Sequence, residues 1–184
     1  MALFVTHIAA SAGALTWMIC EWLKFGKPSG LGIVTGMVAG LGTITGASGV
    51  VGPAGALVIG LLAGVICFFM TQLIKKTLKI DDSLDVFPVH GVGGILGTFL
   101  AGIFCSPDLG VFSGFGYAAG HESIGSQLSI QMLGIVVIGV YTAVLTWILL
   151  KVTAVVTGGL RVNEDEEREG LDLVAHDERG YDIN

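Results

Sequence analysis

Charge is scarce in this sequence. Charged residues make up 13% of its 184 positions, against about a quarter in ordinary soluble domains. No arginine precedes Arg161, and lysine and arginine together number nine, so no basic face exists for nucleic acid. The three cysteines, Cys20, Cys67 and Cys105, fall in or beside apolar runs with no CxxC or Cys/His spacing; they read as small core hydrophobes, not as a disulfide framework or metal site. There is no phosphate-cradling glycine loop, nucleophile elbow or zincin pattern, so nothing supports an enzyme or a bound cofactor. Met1 runs straight into apolar sequence without a basic leader or a clear small-residue cleavage site, which predicts a chain that starts inside a span.

What the sequence has instead is apolar surface and glycine. Hydrophobic residues reach 53%, and the 29 glycines follow no G-X-Y period. At roughly 20 apolar residues per crossing, the length holds about five or six membrane spans and a short tail. Five apolar blocks stand out: about Ala2 to Leu23, Leu31 to Thr45, Ala54 to Ile74, from near Asp85 to CSPDLG, and from near Ser126 to about Gly159. None shows the alternation of a membrane barrel. The fold class expected is an all-α integral membrane protein with a five-helix domain over residues 1–160 and a tail over 161–184. Gly32, Gly36 and Gly40 recur every four residues, Gly42 and Gly46 continue the spacing, and Gly60/Gly64 and Gly93/Gly97 repeat it. Small residues so spaced share a helix face and let backbones approach. The fifth block, about 33 residues, would be roughly 50 Å long as one helix, beyond a hydrocarbon core of about 30 Å, and is expected to tilt or protrude.

The net charge of −6 has one location. Up to Leu160 there are six lysines against Glu21, Asp81, Asp82, Asp85, Asp108 and Glu122; from Arg161 onward there are three arginines against nine acidic residues. That tail has too few apolar residues to bury a core and reads as a solvated or partner-ordered segment. Lysines follow the first and third blocks, Lys151 and the tail arginines end the fifth, and the loops after the second and fourth have no Lys or Arg. The positive-inside rule then predicts a multi-pass protein of the cell membrane with its N-terminus outside and its C-terminus cytoplasmic.

The fourth block carries an ionisable residue inside an otherwise apolar helix. In IDDSLDVFPVHGVGG, Asp85 is expected as the N-cap, Pro88 is tolerated in a first turn, and His90 falls one to two turns inside, before Gly91, Gly93 and Gly94. An intramembrane histidine is a functional-site candidate by default. The alternative is a ring hydrogen-bonded to a nearby carbonyl. Desolvation favours the neutral imidazole, whose one donor and one acceptor suit a small hydrogen-bonding solute or a proton relay. His7 reads as a packing histidine, and His121 and His176 as surface residues.

The segments FVTHIAASAGALTW, EWLKFGKPS, GLGTITGASGVVGPAGA, DDSLDVFPVHGVGG and GLRVNEDEEREGLD, in that order, resemble the C-terminal half of the ammonium transporter (Amt/MEP/Rh) family, on its Amt side. The resemblance implies a trimer of eleven-helix subunits, each with two inverted five-helix repeats, a last tilted helix and its own narrow hydrophobic pore for ammonium or ammonia. It places His90 at the second repeat's pore histidine and Val86 as an apolar pore neighbour. Asp82 falls at the family's acidic position at this helix entrance, a structural role, with Asp85 also near the pore. It also implies that the tail is a regulatory segment, in bacteria and archaea often docking PII signalling proteins. The matching positions there are Gly159 to Val162, including Arg161, then Glu167 to Asp172, including Gly170 and Leu171, then His176, Glu178 and Tyr181. The chain departs from the pattern at Gly46, where proline is usual, and at Asp177 and Gly180 in HDERGY. The first repeat, with its own pore histidine, phenylalanine gate and external recruitment site, has no counterpart in these residues, so transport is expected to need that missing half. Two other readings stay open: a non-transporting remnant or regulatory partner acting through the acidic tail, and a small-solute channel of another class.

Overall fold

The structure, a computed structural model, describes residues 1–179. Its elements start and stop where the local chemistry requires. Helix α1 spans Ala2–Phe25 and ends at Gly26, whose φ of 81° is the left-handed stop that glycine adopts without strain. Ser29 caps α2 (Gly30–Thr45), its hydroxyl accepting from the Gly32 amide at 2.9 Å. Pro53 opens α3 (Pro53–Gln72) in its first turn, where a missing N–H costs nothing. The chain continues through a π-helical turn, Leu73–Thr77, then a second, Phe87–Val92, that leads into α4 (Gly93–Phe104). A short 3₁₀ turn, Gly110–Phe112, precedes α5 (Ile124–Thr157), and two short helices follow, α6 (Glu164–Glu169) and α7 (Leu171–His176). Among the described residues there is no strand.

Four helical stretches are long and apolar enough to cross a membrane: Ala2–Phe25, Pro53–Thr77, Phe87–Phe104 and Ile124–Thr157. The remaining apolar block, α2, has 16 residues, about 24 Å at 1.5 Å per residue, because the glycine-rich GASGVVG converts it into turns. The long last helix is continuous over 34 residues, as the apolar run implied.

The chain divides into two units, Met1–Val136 and Val137–Asn184. In the first, α1 packs between α2 and α3, and α4 lies on α2 and α3. Backbone approach explains the closeness. A methyl carbon at Gly60 of α3 would lie 2.7 Å from Ala9 Cα of α1, and one at Gly64 would lie 2.7 Å from the Gly13 carbonyl oxygen. A methyl at Gly40 of α2 would collide with the Ala9 carbonyl from the other side. Helix α1 is thus gripped on two faces through one stretch of its backbone. Val5, Ala9, Ile44, Val51, Ile59 and Ala101 belong to one buried cluster, and Trp17, Ala39, Cys67, Phe68 and Val89 form a second. Cys67 and Cys105 are buried and Cys20 half-buried, all as free thiols, in the packing role expected of them.

In the second unit the end of α5 passes through Gly158 and Gly159, both at positive φ, to the tail helices. Asn163 starts α6 with a reciprocal capping box: its Oδ1 accepts from the Glu166 amide at 2.9 Å, and the Glu166 carboxylate accepts from the Asn163 amide at 3.2 Å. No residue of α6 or α7 is buried, so local capping and charge pairing hold these helices, as a tail poor in apolar residues requires.

Candidate functional site

The loop from Leu78 to Asp85 sets the start of the helix that carries His90. Asp82 does the capping. Its Oδ1 accepts from the Val86 amide and its Oδ2 from the Phe87 amide, each at 2.9 Å, so one carboxylate forks across two of the orphan donors of a first turn. The expectation that Asp85 is the N-cap is therefore corrected. Asp85 has φ of 57°, outside the extended conformation of an N-cap, and its Oδ1 lies 2.8 Å from Lys75 Nζ. Lys75 also donates to the Ser83 carbonyl at 3.3 Å, which ties the end of α3 to the loop.

Phe87–Val92 then turns as a π-helix, a wide geometry found mostly as single turns. Pro88 and Val89 face inward and are buried, while Val86 and His90, four residues apart, are exposed. Among the described residues nothing encloses the His90 ring, which desolvation arguments assume to be buried: it is exposed. Helix α2 supplies one side of the ring's surroundings. A methyl carbon at Gly42 would sit 3.8 Å from His90 Nδ1 and 3.6 Å from the Val89 carbonyl, so the missing side chain leaves the ring facing α2 with room for about a methyl group between them. One turn on, a methyl at Gly93 would meet the buried Thr43 Oγ1 at 2.9 Å and Cys67 Sγ at 3.5 Å.

Gly42 is the position that sequence reasoning misassigned. It reads as a continuation of the Gly32, Gly36, Gly40 series, yet it comes two residues after Gly40, about 200° around a helix of 3.6 residues per turn. It therefore faces the π-helical turn that carries the histidine, not α1. Gly46, similarly, has only Thr98 Oγ1 at 3.8 Å from a methyl position.

The other histidines take separate places. His7 is exposed on α1, His121 Nδ1 pairs with Ser126 Oγ at 2.7 Å, and His176 is exposed at the end of α7. In the tail, Arg161 and Glu167 meet at 2.8 Å. Gly170, at φ of 101°, separates α6 from α7, which begins with Leu171 and Asp172. The Glu178 amide donates to the Asp172 carbonyl at 2.9 Å. Tyr181 lies outside the described residues.

The chain matches the Ammonium Transporter Family over residues 1–181. It is 43% identical over 182 residues to an ammonium transporter of Aquifex aeolicus, covering 99% of this chain and 41% of that one. It is 40% identical over 181 residues to the ammonium transporter Amt1 of Archaeoglobus fulgidus, covering 98% and 44%. Among solved structures, a sensor Amt protein superposes with a TM-score of 0.83 at 31% identity, covering 95% of this chain and 41% of that one. Saccharomyces cerevisiae Mep2 superposes with 0.76 at 34% identity, covering 89% and 37%. The chain spans about two fifths of the length of the relatives it matches.

Proposed function

The chain belongs to the ammonium transporter family, and on that premise we propose that it forms one wall of a path by which ammonium or ammonia crosses a membrane, with His90 as that wall's imidazole. Family membership and the apolar helices make it a multi-pass membrane protein whose named relatives are transporters, not enzymes. The observation that carries the reading is the family match over residues 1–181, and His90 supports it as an exposed imidazole in the apolar stretch Phe87–Phe104.

Ammonium leaving water loses hydrogen-bond partners that an apolar wall cannot replace. A neutral imidazole returns one acceptor and one donor, enough to accept a hydrogen bond from an N–H of ammonium or to donate one to the lone pair of ammonia. Val86 beside it keeps that wall apolar, and Asp82 holds the first turn so that both side chains stay on one face. The open surface around His90 supports a wall that works against a facing half, the part of the relatives this chain does not cover. In the same reading the assembly is a homotrimer, the N-terminus lies outside, and α5 tilts toward a cytoplasmic tail. There Arg161, Glu167, Gly170, Leu171, Asp172 and His176 contribute to a docking segment for a PII signalling protein. The capped, charge-paired tail favours a second reading, in which this segment acts as a regulatory partner without transport.

A transporter-deficient cell tests these readings. The chain expressed alone is expected not to restore growth on limiting ammonium. Joined to the uncovered N-terminal portion of the Aquifex aeolicus relative it should restore growth, and His90→Ala should remove that rescue. Membrane insertion of the joined chain without rescue, or rescue that survives His90→Ala, overturns the transport reading. Capture of the cognate PII protein that persists in a chain ending at Gly158 overturns the docking site.

A further inference from the structure

Position 42 of α2 holds a glycine that neither packing nor backbone conformation requires. A methyl at Gly40 would collide with the Ala9 carbonyl and one at Gly97 with the Thr43 carbonyl, so bulk is barred at both. At Gly42 a carbon in the Cβ position would lie 3.6 Å from the Val89 carbonyl oxygen and 3.8 Å from His90 Nδ1, both ordinary van der Waals distances. Among the described residues no other helix brings a further atom within 4 Å of that point. Gly42 also lies inside α2, apart from the glycines of positive φ, where alanine is the better helix former.

What glycine leaves there is a space about one carbon wide, bounded by the ring nitrogen, the Val89 carbonyl and the α2 backbone. Gly42 is half-buried and His90 exposed, so the space is reached from the surface that the ring occupies. A carbon placed in it touches both polar atoms without overlap. A methylated amine held by the imidazole can therefore lay its one methyl group against α2.

We propose that Gly42 is the specificity-determining residue that sets the size limit at His90. With glycine there, a singly methylated ammonium passes as well as ammonium, its methyl group lying between α2 and the ring. A side chain at position 42 fills the same space and leaves ammonium as the solute that fits. This inference rests on the reading that solute passes His90.

Uptake of ammonium and of radiolabelled methylammonium tests it, in a transporter-deficient cell that carries the chain joined to the uncovered N-terminal portion of the Aquifex aeolicus relative. The unsubstituted joined chain should take up both. Gly42→Ala should lower methylammonium uptake about tenfold, the low end of what one carbon is worth in a fitted site, and ammonium uptake far less. Gly42→Ser should act in the same direction, and immunoblotting of membranes should show equal amounts of each chain. Gly46→Ala lies one turn further along α2, where a carbon meets only Thr98 Oγ1 at 3.8 Å, and should leave the ratio of the two uptakes as it is. Equal loss of both solutes in the Gly42 variants, no loss of either, or the same change of ratio in Gly46→Ala overturns the size limit and leaves the transport reading standing. So does a joined chain that takes up ammonium and rejects methylammonium before any substitution. A joined chain that reaches the membrane and takes up neither solute overturns the transport reading, and the size limit falls with it.

Discussion

Helices α3 and α5 are both long and strongly apolar, yet they live differently. Of the most apolar stretch of Pro53–Thr77, 44% is buried, and of that in Ile124–Thr157 none is. Hydropathy reports only that a helix prefers lipid or protein to water; it does not choose between them. Glycine environments do distinguish the two. Gly60 and Gly64 of α3 touch the backbone of α1, whereas Gly125, Gly134 and Gly139 of α5 have nothing within 4 Å of a methyl position. Spacing of four gathers glycines on one face for a neighbour's backbone; spacings of nine and five do not.

The comparison breaks first under bulk. Gly60→Leu should destabilise the bundle by about 3 kcal/mol or more, at the top of the range for overpacking, because the obstacle is the backbone of α1 and cannot swing aside. Gly134→Leu should leave thermal unfolding in detergent almost unchanged. Equal losses at the two positions would show that α5 is gripped as tightly as α3.

A second contrast lies in the loop before α4. Asp82→Asn leaves one uncharged acceptor and turns the other oxygen into an amide nitrogen that cannot accept. One of the two hydrogen bonds at the helix start is thus lost, and the change should cost about 2 kcal/mol. Asp85→Asn weakens a partly exposed ion pair with Lys75, whose side chains are 17% and 36% exposed, and should cost less than about 1 kcal/mol. Proteolysis of the Leu78 to Asp85 loop under native conditions reads the difference, and the reverse order would return the capping role to Asp85.

The smallest effect is expected in the tail, where no core supports the helices. Asn163→Ala removes the capping box and should cost α6 about 1 kcal/mol, seen as faster amide exchange at Glu166 and Glu167 with no change in the thermal unfolding of the bundle. Exchange that stays slow would mean that something other than the cap orders α6.

Much of the architecture was legible beforehand because its signals are local. Apolar run length, the glycine stops, Ser29 and the charge-poor loops act over a few residues, so α1 to α5 fall close to where the composition puts them. The candidate site was legible only in part. His90 announces itself as an ionisable residue in an apolar helix. Its capping carboxylate did not, because Asp82 and Asp85 are equivalent acids until a left-handed backbone at Asp85 and the reach of Lys75 assign one to the helix and the other to an ion pair. Gly42 was hidden by its own neighbours, since a glycine series suggests a shared face until the two-residue step from Gly40 is placed on the helix.

By itself, then, the sequence determined an all-helical membrane chain, a neutral body with an acidic tail, and a histidine within one span, since hydropathy and charge are sums over residues. Only the tertiary structure decided that α1 is clasped through Ala9 and Gly13 and that bare α2 backbone lies beside His90. Those facts depend on which residues from distant segments come within a few ångströms, and packing at that scale is set by the closing of the whole bundle.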